Sequence, residues 1–127
     1  MKLEHIAIYV EDIEITKAFY KKYFGAISNE KYHNPKTGLQ TYFLTFESGS
    51  RLEIMSKPNL PSNENSRDRL GYIHIAFKLG SEEAVDKMTN ILRDDGYTII
   101  GDPRTTGDGY YESTCLDPDG NIIELVA

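Results

Sequence analysis

Four side chains in this sequence combine metal-ligand chemistry with matched surroundings: His5 in HIAIYV, Glu53 in LEIM, His74 in HIAFKL and Glu124 in IELV. Imidazole nitrogens and carboxylate oxygens together suit borderline divalent ions such as Zn, Ni, Co, Mn or Fe, and need no cysteine. Taken singly, His5 reads as a partly buried histidine and Glu124 as a solvated strand residue. Their spacing changes that reading: the histidines are 74 − 5 = 69 residues apart and the glutamates 124 − 53 = 71. Two halves rarely share both order and spacing by chance, so a duplicated module is expected.

The elements that must carry these four residues can be read from periodicity. LEHIAIYV alternates, with Ile6, Ile8 and Val10 on one face and His5, Ala7 and Tyr9 on the other, which predicts a strand. Asp12 can cap the helix IEITKAFYKKYFG, whose apolar residues are taken as Ile15, Ala18, Phe19 and Tyr23, and Gly25 can end it in the left-handed conformation. Strands are expected near Ile27 to Tyr32, Gln40 to Glu47 and Arg51 to Met55, giving the order βαβββ. The stretch from Lys57 to Arg69, with Pro58 and Pro61, has no apolar period and reads as a linker or loop.

The pattern then begins again. YIHIAFKL reads as a strand, and Ser81 caps a helix through about Asp95, with Glu82 and Glu83 at its positive end and Gly96 closing it. Strands follow near Thr98 to Ile100, Tyr110 to Leu116 and Asn121 to Val126, with Asp117-Pro118-Asp119-Gly120 as the last turn. The expectation is one α+β domain over residues 1–127, built from two tandem βαβββ modules at about 1–56 and 71–127 with a linker at about 57–70. Their strands would form a cupped, barrel-like mixed sheet.

Parity turns the repeat into a site. The neighbours of the four residues are apolar: Ile6, Leu52 and Ile54, Ile73 and Ile75, Ile123 and Leu125. If these pack under the helices, His5, Glu53, His74 and Glu124 share the opposite, concave face. Arg51 has the parity of Glu53 and is a candidate for holding an anionic or carbonyl substrate. Lys57, Arg69 and Arg104 are read as loop residues able to approach an anion, and tyrosines 9, 42, 72 and 111 as possible pocket walls. His33 is read as an exposed loop histidine outside the site, and Cys115 as a small apolar strand residue.

Bulk properties narrow the partners. The 127 residues suit one domain, and 39% hydrophobic with 11% aromatic residues describe a folded globular chain. Fourteen basic against twenty acidic residues give a net charge of −6, which repels phosphate backbones and anionic lipid. Neither nucleic acid nor membrane is expected as a partner. No signal peptide or apolar span is read at the start, where Glu11 and Asp12 come early, so a cytoplasmic location is expected.

With AFYKKYFG after the first strand, LEIM closing the first half, GYIHIAF opening the second and LDPDGNIIEL ending it, the chain resembles the vicinal oxygen chelate superfamily over essentially its whole length. The His-Glu-His-Glu pattern resembles that of glyoxalase I. The resemblance implies one divalent ion (Ni, Co, Zn or Mn) held by His5, Glu53, His74 and Glu124, with open water positions. It implies isomerisation of a 2-oxoaldehyde–thiol hemithioacetal to a thioester. The metal polarises vicinal oxygens, a glutamate removes the carbon-bound proton, and an enediolate is reprotonated one carbon over. By position Glu124 is the main base, and Glu53 is the ligand that takes the complementary proton role.

The resemblance also implies a small-molecule substrate and a homodimer, with the site built within one chain or across two. Departures bear on the substrate. Tyr9 stands where short bacterial glyoxalases carry a glutathione-holding arginine, Lys57 stands where they tend to have asparagine, and Ala26 replaces a larger apolar residue. The ligands are intact, and the thiol is open. Tyr9, Arg51 and Lys57 are the candidate substrate residues. Other members of the superfamily set the alternatives: an iron-dependent dioxygenase using His5, His74 and Glu124, an acyl-CoA epimerase, or a non-catalytic module that sequesters a small molecule.

Overall fold

A computed structural model describes residues 3–61 and 70–127. The chain divides into two compact units, Met1–Asn63 and Glu64–Ala127. Of the expected linker, residues 62–69 lie outside the described residues, Arg69 among them. No helix among the described residues is long and apolar enough to cross a membrane.

The first unit runs β1 (His5–Tyr9), α1 (Ile13–Phe24), β2 (Ile27–Ser28), β3 (Tyr32–His33), β4 (Gln40–Thr45) and β5 (Arg51–Ser56). Its sheet has the order β1-β5-β4-β2, with β3 also pairing β4. The β1–β5 pair is parallel, because the chain crosses through α1 before returning, while β4 and β5 form an antiparallel hairpin around Gly49. The strand expected over Ile27 to Tyr32 is two short pieces, since Asn29 interrupts it by accepting the Phe43 N–H with its side chain at 2.8 Å. His33 lies in β3, exposed, not in a loop.

Helix α1 starts where Asp12 accepts from the N–H groups of Glu14 and Ile15 at 2.9 and 3.1 Å, a cap that contributes about 1 kcal/mol. It stops at Gly25, whose φ of 63° is left-handed. The buried face is Ile13, Thr16, Phe19, Tyr20 and Tyr23, and it packs over β4 and β5. Ile15 and Ala18, taken from the sequence as core positions, are exposed. The reason is phase: Ile15 is two residues, about 200°, from Ile13 on a helix of 3.6 residues per turn. Beneath the helix Leu44, Leu52 and Ile54 are buried.

At the edge of this packing, Glu14 joins Lys17, Lys31 and Tyr42. Lys31 Nζ is 2.8 Å from Glu14, the Tyr42 hydroxyl donates to it at 2.9 Å, and Lys17 pairs with it and donates to Tyr42 at 2.9 Å. The Lys17 ammonium, then that of Lys31, holds the Glu14 carboxyl down at about 2, from an ordinary 4.5. A depressed carboxyl stabilises the fold above its unfolded pKa and loses that contribution as pH falls through the folded value. Glu14→Gln should therefore flatten the acid limb of stability between about pH 4.5 and 2, as read by urea unfolding across that window. The half-exposed setting limits the difference at neutral pH to under about 1 kcal/mol. An unchanged acid limb would contradict this reading.

The second unit repeats the plan: β6 (His74–Lys78), α2 (Glu82–Asp94), β7 (Ile99–Thr105), β8 (Tyr111–Leu116) and β9 (Ile122–Val126), in the order β6-β9-β8-β7. Again the first and last strands are parallel. Ser81 caps α2 by accepting the Ala84 N–H at 3.1 Å, and Val85, Thr89 and Leu92 form its buried stripe. Thr89 shares a 2.6 Å hydrogen bond with Ser113 of β8, satisfying two buried hydroxyls. Asp117 organises the last turn by accepting from the N–H groups of Asp119 and Asn121 and from the Asn121 side chain.

Strand β7 extends well beyond the Ile100 end expected from sequence, so Arg104 is a strand residue and not a loop residue. Gly101-Asp102-Pro103 reads as a break, yet β7 is an edge strand and absorbs them as register shifts, where a proline costs no ladder bond. Gly101 is required there because a Cβ would collide with the Thr114 hydroxyl. The architecture is thus α+β with two mixed sheets, neither closed into a barrel among the described residues.

Candidate functional site

Each unit buries one face of its sheet under its helix and presents the other. In the first unit the presented face carries His5, Ala7 and Tyr9 of β1, Arg51, Glu53 and Met55 of β5, and Phe43 of β4. In the second it carries His74, Ala76 and Lys78 of β6, Ile122, Glu124 and Val126 of β9, and Glu112 and Thr114 of β8. The parallel register sets Ala7 beside Glu53 and Ala76 beside Glu124. An alanine at that place leaves room for the histidine two residues earlier to lean across to the carboxylate.

His5 Nε2 lies 3.5 Å from Glu53 Oε2, and His74 Nε2 lies 3.1 Å from Glu124 Oε2. Two donors at about 2.1 Å from one cation and 90–110° apart are separated by about 3.0–3.4 Å, a span that the 3.1 Å pair meets and the 3.5 Å pair slightly exceeds. The glutamates are largely shielded, with side chains 16% and 20% exposed, which strengthens their field on anything placed before them. Among the described residues of either unit, no third His, Cys, Asp or Glu closes on the same point.

The first pair has further partners. His5 Nδ1 donates to Glu4, Glu4 in turn pairs with Arg51, and the Arg51 guanidinium lies 4.4 Å from the centre of the Phe43 ring. The His5 ring meets Phe43 edge-on at 5.2 Å. In the neutral tautomer whose single N–H lies on Nδ1 and donates to Glu4, the lone pair of Nε2 would face the Glu53 carboxylate. In that tautomer the two acceptors, 3.5 Å apart, would suit a cation.

The remaining expected residues are spread over these surfaces. Tyr9 is exposed, and Lys57, just after β5, holds its ammonium 5.2 Å from the Tyr9 ring centre. Arg104 pairs with Glu112 at 3.6 Å. Tyr42 is buried beneath α1, and Tyr111 donates to Asp86 of α2 at 2.7 Å, so both face their helices and not the presented surfaces. Tyr72 precedes β6 and is exposed. Cys115 is fully buried, and burial, then the charge of Asp117, pushes its thiol up to about 12, which disfavours the reactive thiolate.

Sequence reasoning passed over Glu4, Phe43 and Glu112. Phe43 stands opposite Glu53 only through the β4–β5 register, which no local pattern states. Glu4 precedes the strand and breaks its alternation, so parity argues against its reaching His5.

The chain matches the Glyoxalase/Bleomycin resistance protein/Dioxygenase superfamily over residues 2–125. It is 30% identical over 132 residues to the uncharacterized protein YqjT of Bacillus subtilis, covering 98% of each chain. Its fold matches that of a glyoxalase family protein from Enterococcus faecalis with a TM-score of 0.82 and 27% identity, over 99% of this chain and 97% of that one. It also matches FosX, the fosfomycin resistance protein of Listeria monocytogenes solved with Mn(II) and sulfate, with a TM-score of 0.73 and 24% identity over 99% and 91% of the two chains. A full-length family match and a duplicated fold agree: the chain belongs to the glyoxalase/bleomycin resistance/dioxygenase superfamily, the vicinal oxygen chelate proteins.

Proposed function

We propose that this protein is a divalent-metal-dependent enzyme of glyoxalase I type, acting on a small oxygenated substrate such as a 2-oxoaldehyde–thiol hemithioacetal. The observation that carries the reading is the matched His–Glu pairs, 3.5 and 3.1 Å across, on the presented face of each unit. His5, Glu53, His74 and Glu124 would hold one ion, the two units combining within one chain or across a homodimer. The donor set of two imidazoles and two carboxylates fits Ni, Co, Zn or Mn. When bound, the ion supplies Lewis-acid stabilisation of negative charge developing on substrate oxygens.

The chain's own residues do the rest. Glu124 accepts the carbon-bound proton of the substrate, and Glu53 takes the complementary role at the adjacent carbon. Their shielding limits the access of competing water to the carboxylates. Tyr9 and Lys57, adjacent on the first unit, form a cationic and aromatic edge for the polar end of the substrate. Arg51, already committed to Glu4, acts on the same face. A soluble cytoplasmic setting, with no nucleic acid or membrane partner, accords with the charge of −6.

The reading is tested by loading the purified protein with Ni, Co, Zn or Mn and following methylglyoxal with glutathione, and with other small thiols, at the thioester absorbance. Metal-dependent thioester formation with any thiol supports it. Metal binding with no thioester from any thiol refutes the isomerase chemistry and favours the dioxygenase alternative, which oxygen uptake with iron would then register.

A further inference from the structure

Glu4, Arg51 and Phe43 form a clamp around His5 for which the described residues of the second half have no counterpart. By the offsets of the repeat, the matching places hold Ile73, Ile122 and Thr114, none of which is acidic, basic or aromatic. Among the described residues His74 therefore meets Glu124 without such a clamp, whereas His5 is held by Glu4 at Nδ1 and by the edge contact with Phe43, and Arg51, over the Phe43 ring and paired with Glu4, braces both of these partners.

We infer that Glu4, itself anchored by Arg51, is a positioning residue that fixes His5 as the Nδ1–H tautomer with Nε2 turned toward Glu53. The first half is thereby a preformed arm of the centre. The physical reason is the second hydrogen bond of a ligating imidazole: a carboxylate on the far nitrogen fixes the ring's orientation and tautomer and raises the basicity of the ligating nitrogen. Arg51 is needed because a glutamate this exposed otherwise samples several rotamers. Its guanidinium, laid on Phe43, has lost much of that freedom already and offers Glu4 a fixed partner. The metal-affinity part of this inference rests on the proposed function; the tautomer part does not.

The test uses full-length wild type, Glu4→Ala, Glu4→Gln and Arg51→Ala. Two quantities are read: the tautomer of each histidine in metal-free protein, by long-range proton–nitrogen correlation at about pH 8.5, some two units above the ordinary histidine value, and affinity for Zn and Mn by competition titration. In wild type His5 should be the Nδ1–H tautomer. Glu4→Ala should shift it toward Nε2–H and weaken metal binding by about 10–100-fold. Glu4→Gln, whose amide oxygen can accept the same hydrogen bond, should restore the tautomer, and Arg51→Ala should fall between. The His74 signals should not move, which separates positioning from general loosening. An unshifted His5 tautomer in Glu4→Ala overturns the clamp. A shifted tautomer with unchanged affinity overturns its role at the metal. If wild type binds no metal, the proposed function falls, and the tautomer alone decides for or against the clamp.

Discussion

If Glu124 is the proposed base, its exchange for glutamine is expected to lower turnover by the metal-loaded protein by about 10²–10⁴-fold, the usual contribution of a positioned general base. The substitution keeps the shape of the side chain and lets the amide donate to His74 Nε2 across the present 3.1 Å separation, so the strand should not rearrange. What is lost is the ability to take a proton. Glutamine is also a weaker donor to a cation than a carboxylate, so saturating metal must be used to separate the two effects. Steady-state kinetics at saturating metal, beside circular dichroism of the variant, reads this directly. A variant that is folded and within tenfold of wild type would exclude Glu124 as the base and move that role to Glu53.

The second large effect concerns the support of the first pair. Phe19→Ala is expected to destabilise the protein by about 3–5 kcal/mol, the range for removing a buried aromatic side chain. Phe19 is 2% exposed, and its ring lies 5.2 Å from Tyr20, 5.1 Å from Tyr23 and 5.7 Å from Phe24. Those neighbours belong to one rigid helix and cannot collapse into the space left behind, which puts the expected value at the upper part of the range. Urea denaturation measures it, and a loss below about 1.5 kcal/mol would mean that the aromatic cluster repacks. Because α1 packs on β5, the strand that carries Glu53, such repacking would also be felt at the His5–Glu53 pair.

What the sequence could reveal follows the range of the interactions involved. Alternation in HIAIYV and HIAFKL, the caps at Asp12 and Ser81 and the left-handed Gly25 are local, and the structure has each of them where the local pattern puts it. The repeat is long-range but is written in spacing, so His5 could be matched with His74 and Glu53 with Glu124, while the His5–Glu53 and His74–Glu124 pairs come from the structure. The spans differ slightly, 53 − 5 = 48 against 124 − 74 = 50 residues, and both close the same parallel pair.

Three features were not legible, for three physical reasons. The phase of α1 was misjudged because Ile15 is apolar but exposed, while Thr16, polar in type, is fully buried against the sheet. The length of β7 was hidden by Gly101 and Pro103, which break central strands but are tolerated at an edge. The contacts of Tyr42, Phe43 and Glu4 depend on register and on side-chain reach between elements distant in sequence, which no window of local residues encodes.

The central claim, that both halves serve one ion, is tested most directly by metal stoichiometry. Wild type, His5→Ala and His74→Ala should be dialysed against Zn, Mn, Ni or Co and analysed for metal per chain beside the binding isotherm. The account predicts one ion per four-ligand site in wild type and comparable weakening in both variants, because each removes one donor from the same centre. Tight binding that survives one substitution and is abolished by the other would place the metal in one half alone, and absence of metal from wild type would contradict the account altogether.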